Sequence, residues 1–291
     1  MIPSATDLHY FLEIAETRNM SRAAERLGVS QPALTLAMVR LEESLEQPVL
    51  LRGKTGVQLT KAGEKLVNQA RNLLFEWERI KSEAMRDENE LAGRYSIGCH
   101  SSVAMYTLPF CLPKILEEFP NLQLSVIHDL SRKVTENVIS FKTDYGIVVN
   151  PVPHPDLVIK YLYEDKVSLW TGPGSSKTQN LKSGRGVLIL EPELLQTQDI
   201  LKQLAKRKIL FSRTISSSNL EVITALVAAG AGIGILPGRV ATRIRSQNLK
   251  PVDSGVSFLD RIALIYRADA QNSEASRVLA RKIFELLSKQ K

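Results

Sequence analysis

Cysteine is scarce in this chain: Cys99 and Cys111 are the only two in 291 residues. They cannot build a disulfide framework, and such sparing use fits a reducing compartment. Long apolar runs are also missing. None approaches the roughly 20 residues needed to cross a bilayer, and the N-terminus, MIPSATDLHYF, opens like a helix and lacks the basic-then-apolar order of a secretory signal. A cytoplasmic protein with no membrane partner is expected. His9, His100, His128 and His154 never fall at ligand spacing with acids or thiols, so neither a metal site nor a cofactor is indicated. Internal repeats and low-complexity tracts are lacking as well. What remains is a chain long enough for two domains, with 44% hydrophobic residues to fill ordinary cores.

The net charge of +7 is unevenly placed. Residues 1–91 hold 12 Lys and Arg against 14 Asp and Glu, whereas residues 92–291 hold 26 against 17. Within residues 18–65 the balance is 8 against 5, so a local positive face survives there. The downstream excess reads mainly as solvated surface.

Residues 20–60 carry the most specific pattern, MSRAAERLGVSQPALTLAMVRLEESLEQPVLLRGKTGVQLT. Ser21 is a candidate cap for a short helix that turns Ala23, Ala24 and Leu27 inward, and Gly28 offers the left-handed conformation that ends it. Ser30 is the next candidate cap. Pro32 is tolerated in the following first turn, where amide hydrogens lack intrahelical acceptors. Leu34, Met38, Leu41 and Leu45 recur at helical spacing and seat this second helix on a core. The opposite face, with Gln31, Pro32, Thr35, Leu36, Val39 and Arg40, is left free. Gln31 and Thr35 stand near its N-terminal end, where a recognition helix meets base edges. Val49–Arg52 and Val57–Leu59 then read as two short strands around Gly53-Lys54-Thr55-Gly56, which places Arg52 and Lys54 near phosphate.

Taken together, SRAAERLGVSQPAL, RLEESLEQPVLLR and QLTKAGEKL resemble the winged helix-turn-helix of LysR-type bacterial transcriptional regulators, and the resemblance extends over essentially the whole chain. It implies that Ser21, Arg22 and Arg52 contact phosphate and that Gln31, Pro32, Thr35 and Leu36 read bases. Ser30 belongs to the same DNA-binding set. Family members frequently carry polar or basic residues where Leu36 and Val39 stand, so apolar contact with thymine methyls carries more of the reading here.

From Thr60, a further cap, a polar helix is expected over Lys61 to about Glu90. Its apolar residues Leu66, Ala70, Leu73, Trp77, Ile80 and Ala84 alternate by four and three, the seam of a coiled coil, and read as a dimerisation helix. Two-fold symmetry would let paired heads address an inverted repeat.

Downstream, strand and helix signals alternate. Strands are expected at Tyr95–Cys99, Leu122–His128, Asp144–Val149, Val167–Thr171, Val187–Leu190, Ile209–Phe211 and Ile233–Leu236. Helices are expected at Tyr106–Phe119, Arg132–Phe141, Glu193–Arg207, Asn219–Ala229 and Ser273–Ser288. This is an α/β pattern with parallel strands. The resemblance implies two periplasmic-binding-protein-like α/β subdomains joined by crossover strands. The expected organisation is a DNA-binding domain over 1–60, a linker helix over 61–91 and a regulatory domain over 92–291. Within the last, the first subdomain takes about 92–163 with 267–291, and the second takes 164–266.

In open α/β sheets, ligands sit at the carboxyl ends of strands. His100-Ser101-Ser102 follows the first strand with hydroxyls and free amides at a helix start, and Ser216-Ser217-Ser218-Asn219 precedes another helix. His128 and Asn150 end two further strands. Each is individually a common helix cap; as a converging set, with both Ser clusters also lining the family's effector site by resemblance, they predict a small anionic effector. The expected partners are double-stranded DNA carrying an inverted repeat, that effector, a second copy of the chain in a homodimer or homotetramer, and RNA polymerase. Enzymatic readings are weak. Cys99 and His100 are strand neighbours that point apart, and Gly230-Ala231-Gly232-Ile233-Gly234 lies after a helix and before a strand, the reverse of a dinucleotide loop. A redox pair of Cys99 with Cys111 is less favoured than buried packing.

Overall fold

The computed structural model describes residues 3–53, 56–84, 92–173, 186–243 and 248–289. Two compact units emerge, Met1–Gly93 with Ile139–Lys142, and Arg94–Val138 with Thr143–Lys291.

The first unit begins with α1 (Ala5–Thr17), capped by Ser4, whose hydroxyl accepts from the Asp7 N–H at 3.0 Å. Next come α2 (Met20–Leu27) and α3 (Gln31–Leu45). Asn19, not Ser21, caps α2. Asn19 is extended, and its Oδ1 accepts from the Arg22 N–H three residues on at 3.0 Å, which leaves Ser21 inside the first turn. Gly28 ends α2 at φ +66°, and Ser30 caps α3 through the Ala33 N–H at 3.3 Å, with Pro32 in the first turn as expected. Phe11, Ile14, Ala23, Leu34, Met38 and Leu41 form the buried centre.

Strands β1 (Leu50–Gly53) and β2 (Gly56–Leu59) pair antiparallel as a wing. The Glu42 carboxylate near the end of α3 helps to hold its base, accepting from the N–H groups of Val49 and Leu50 at 2.8 and 3.0 Å. Thr60 caps α4 (Lys61–Ala84) by accepting from the Gly63 N–H at 3.0 Å. The expected continuation of this helix toward Glu90 lies outside the described residues. Its apolar stripe divides in two. Leu66 and Ala70 pack on the unit's own core, so they are not free seam positions, whereas Leu73, Trp77 and Ile80 stay half exposed.

In the second unit the elements run β3 (Gly93–Cys99), α5 (Ser101–Glu118), β4 (Leu122–His128), α6 (Ser131–Ile139), β5 (Tyr145–Val149) and β6 (Leu157–Thr171). They continue with β7 (Val187–Leu190), α7 (Leu195–Lys206), β8 (Arg213–Ser216), α8 (Leu220–Ala228), β9 (Ile233–Pro237) and α9 (Gly238–Arg243). The two-residue β10 (Lys250–Pro251), β11 (Phe258–Arg267), a 3-10 turn and α10 (Glu274–Ser288) complete the unit. One sheet of nine strands runs β4-β3-β5-β11-β6-β9-β7-β8, with β10 beside β6.

The expectation of parallel strands holds for β3 with β5 and for β7 with β8 and β9. The two long strands differ: β11 lies antiparallel to β5 and β6, and β6 antiparallel to β9. Ile209–Phe211 is not a strand. The chain there is a loop whose Ile209 and Phe211 side chains plug the core, and the strand that pairs with β7 starts at Arg213. Gly230, at φ +80°, stops α8 ahead of β9, in keeping with its reading as a helix end.

Candidate DNA interface and ligand cavity

The inner face of α3 is fully spent on the core, with Leu34, Ala37, Met38 and Leu41 at 0% exposure. Its outer face is accordingly open, and Gln31, Pro32, Leu36, Val39 and Arg40 are exposed, with Thr35 half-buried beside them. Two of these side chains are held. Ser21 on α2 donates its hydroxyl to Gln31 Oε1 at 3.2 Å, and Arg40 Nη2 pairs with the buried Asp7 carboxylate at 2.6 Å. Ser21 therefore orients Gln31 from the neighbouring helix in place of capping its own. Arg22 and Ser30 flank the same edge, both exposed. Arg52 lies on β1 of the wing, and Lys54 lies outside the described residues.

A cavity of about 550 Å³ opens in the second unit. Its walls come from α5 (His100, Ser102, Val103, Tyr106), from α6 and the chain after β5 (Leu130, Ser131, Arg132, Asn150, Val152) and from the segment entering α7 (Glu193, Leu194, Leu195, Gln196, Gln198). Asp260 of β11, Leu220 of α8, Thr135 and Glu136 of α6, Val149, Pro151, Pro237 and Val240 line it as well. Of the sequence candidates, His100, Ser102 and Asn150 line this space. Ser101, His128, Ser217, Ser218 and Asn219 do not. His128 is exposed, with Nδ1 3.3 Å from the Cys99 carbonyl oxygen. Ser217 is engaged locally by the Asn219 N–H at 3.2 Å, and Asn219 caps α8 through the Val222 N–H at 3.0 Å, so these groups serve the turn. The opposite wall is supplied by the Glu193–Gln198 segment. Its only sequence signal is a helix start, which by itself does not mark a ligand wall.

His100 caps α5: its Nδ1 accepts from the Ser102 N–H at 3.3 Å, which leaves the ring proton on Nε2, 4.0 Å from the Glu191 carboxylate. Burial lowers the His100 pKa, opposed by the Glu221 charge. Burial likewise pushes Glu191 up to about 7, helped by Glu221 and Glu193. The sequence places amides and hydroxyls here without acidic neighbours, whereas the fold brings Glu191 within 4.0 Å of His100, Glu221 into the electrostatic environment of both, and Glu193 into that of Glu191. Asn150, in the left-handed region at φ 52°, is a clamp between strands. Its Nδ2 donates to Asp260 Oδ1 at 2.8 Å and its Oδ1 accepts from the Arg261 N–H at 2.9 Å. The thiols are buried, and burial raises Cys99 to about 12 and Cys111 to about 11.

One unit thus carries a helix with an open outer face beside a wing, and the other, a mixed α/β unit of the same chain, carries a ligand-sized cavity. Residues 5–64 match the family described as bacterial regulatory helix-turn-helix protein, lysR family, and residues 88–287 match the LysR substrate binding domain. The chain belongs to the LysR family. It is 34% identical over 174 residues to the HTH-type transcriptional regulator BbuR of Bordetella bronchiseptica, a match that covers 60% of this chain and 54% of that protein. The chain thus spans about half of BbuR's length. With a probable hydrogen peroxide-inducible genes activator of Streptomyces viridosporus it shares 28% identity over 299 residues, covering 98% and 95% of the two. A full-length OxyR variant from Pseudomonas aeruginosa shares its fold at a TM-score of 0.68 and 25% identity, covering 97% of this chain and 95% of that one. These are regulators of transcription, not enzymes.

Proposed function

We infer that this protein reads a specific DNA sequence through α3 and changes its hold on that site when a small molecule occupies the cavity. The observation that carries the reading is the outer face of α3. A helix that buries one stripe completely and leaves Leu36 61% exposed has a surface shaped for something other than its own core. Gln31 and Thr35 supply hydrogen bonds to base edges, Pro32, Leu36 and Val39 supply apolar contact with bases, thymine methyls above all, and Ser21, Arg22, Ser30, Arg52 and Lys54 form the surrounding phosphate and positioning set. A dimer built on Leu73, Trp77 and Ile80 would present two such heads to an inverted repeat in the cytoplasm, with tetramers and RNA polymerase contacts as further steps. We place the effector against His100, Ser102 and Asn150. The domain limits read from the sequence, 1–60, 61–91 and 92–291, suit this division of labour.

Peroxide sensing, the property in the name of the Streptomyces relative, is the second reading. It needs a reactive thiolate. A thiol held at about 12 keeps only about one part in 10⁵ ionised at pH 7, which argues for effector binding in its place. Selection of bound fragments from random genomic DNA by the purified protein tests the proposal. Recovery of fragments sharing one inverted repeat supports it, and recovery that tracks fragment length alone would sink it.

A further inference from the structure

We propose that the cavity takes a small organic cation, an amine on an apolar body, whose nitrogen docks against the Asp260 carboxylate. The inference rests on the effector reading and specifies the ligand's charge.

Asp260 on β11 and Asp165 on β6 are register partners on the two long antiparallel strands. Both are buried, at 2% and 7% exposure, so each ionised carboxylate needs donors in place of water. Asp165 has them: its two oxygens accept from the Arg239 N–H at 3.2 and 3.3 Å, and the guanidinium of the same residue, stacked 4.0 Å over the Tyr163 ring, adds positive charge. Asp260 receives a neutral amide hydrogen from Asn150 at 2.8 Å and faces the repulsion of Asp165. Its carboxyl is accordingly pushed up to about 7, chiefly by burial. An ammonium group supplies what this site lacks, a positive charge with several donors.

The remaining walls agree. Arg132 is the one cationic side chain among the described lining residues, and it lies 3.8 Å from Glu136 on the same helix. His100 is kept neutral by burial, and Glu193 adds negative charge on the far wall. A second, separate observation points to a missing ligand group: the Ser102 hydroxyl lines this cavity at 1% exposure and has no hydrogen-bond partner among the described residues. An empty polar site of this kind is costly unless something fills it. Glu136 adds a further carboxylate to the lining, Thr135, Gln196 and Gln198 add neutral polar groups, and apolar surface comes from Leu130, Val149 and Val152 and from Leu194, Leu195 and Leu220. A volume of about 550 Å³ suits a compact ligand of this sort.

Docking an ammonium holds Asp260 ionised, so binding below pH 7 must release a proton, and affinity must rise with pH. The test is calorimetry on the full-length protein with two matched probes, benzylamine and benzoate, at pH 6 and pH 8, in buffers of different ionisation enthalpy. Benzylamine should bind at least tenfold more tightly than benzoate at pH 8. Its affinity should gain about tenfold from pH 6 to pH 8, because the ionised fraction of a group titrating near 7 rises by that factor, and it should release protons at pH 6. Asp260→Asn should remove both the pH dependence and at least tenfold of the affinity. The wild-type proton release needs no variant, so it stands even if Asp260→Asn folds poorly. Tighter binding of benzoate with proton uptake would mean that a protonated Asp260 donates to an anion, and would overturn the proposal. So would benzylamine binding that ignores Asp260→Asn, or no heat from either probe at 10 mM. None of these results touches fragment selection by the DNA-binding head, so the regulator reading fails or stands separately.

Discussion

Replacing Asp260 by Asn should make the ligand-free regulatory unit more stable at pH 8. The isosteric amide keeps an oxygen to accept the Asn150 Nδ2–H bond now made at 2.8 Å, while the buried charge disappears. The folded pKa of about 7 stands above a reference of 3.8, so between those values the native state holds a proton that the unfolded chain has released. Stability contributed by the protonated form is complete below about pH 4 and is lost as pH rises toward 7. A shift of about three units is worth about 4 kcal/mol at 1.36 kcal/mol per unit; local relaxation reduces this, and a gain of about 2 kcal/mol in the variant at pH 8 is expected. Urea unfolding can be followed by Trp170, a buried indole whose N–H donates to the Leu236 carbonyl at 3.0 Å, in a Trp77→Phe background. Glu191 adds its own loss of stability over the same range, so the difference between variant and parent isolates Asp260. The advantage should shrink toward zero near pH 4. A variant less stable than its parent at pH 8, or a difference that does not change with pH, would refute the reasoning.

Three other outcomes follow from the packing. Gly63→Ala should destabilise the DNA-binding unit by roughly 1–3 kcal/mol in thermal unfolding, because the added Cβ would run into the Val49 carbonyl oxygen where α4 passes the wing. Leu73→Glu or Trp77→Glu should shift sedimentation at micromolar protein from dimer to monomer, since each puts charge on the exposed stripe of α4; unchanged mass would place the dimer contact elsewhere. Cys99 and Cys111 should resist alkylation in the native protein at pH 7 and react only on unfolding, as buried thiols with raised pKa values do, which mass spectrometry of iodoacetamide-treated samples reads directly.

Local signals carried the first unit well. Gly28, Ser30 with Pro32, and Thr60 each acted within three residues, so capping chemistry placed α3 and the start of α4 directly. The same chemistry misled at α2, where Asn19 and Ser21 are both competent caps and only the backbone decides between them. In the second unit, β4 and β7 were legible as short apolar runs. The first half of β6, LVIKYLYEDK, and the whole of β11 were not, because charged residues interrupt their apolar pattern: Arg261 pairs with Glu164 across the two long strands at 3.5 Å, while Asp165 and Asp260 are buried. The cavity was half visible. Helix starts at His100 and Asn219 look alike in sequence, but only the fold tells that one lines a cavity and the other finishes a turn. Asp260 gave no signal at all, since its meaning comes from facing Asp165 across the sheet.

The central claim is that α3 reads sequence while the wing holds backbone. Salt-dependent titration of a selected fragment and a random duplex of equal length, with the parent protein and with Gln31→Ala, Thr35→Ala and Arg52→Ala, tests it most directly. Gln31→Ala and Thr35→Ala should each lose roughly 1–3 kcal/mol on the selected fragment and little on the random duplex. Arg52→Ala should weaken both and lower the slope of log affinity against log salt by about one. Equal losses on the two duplexes for Gln31→Ala would contradict the account.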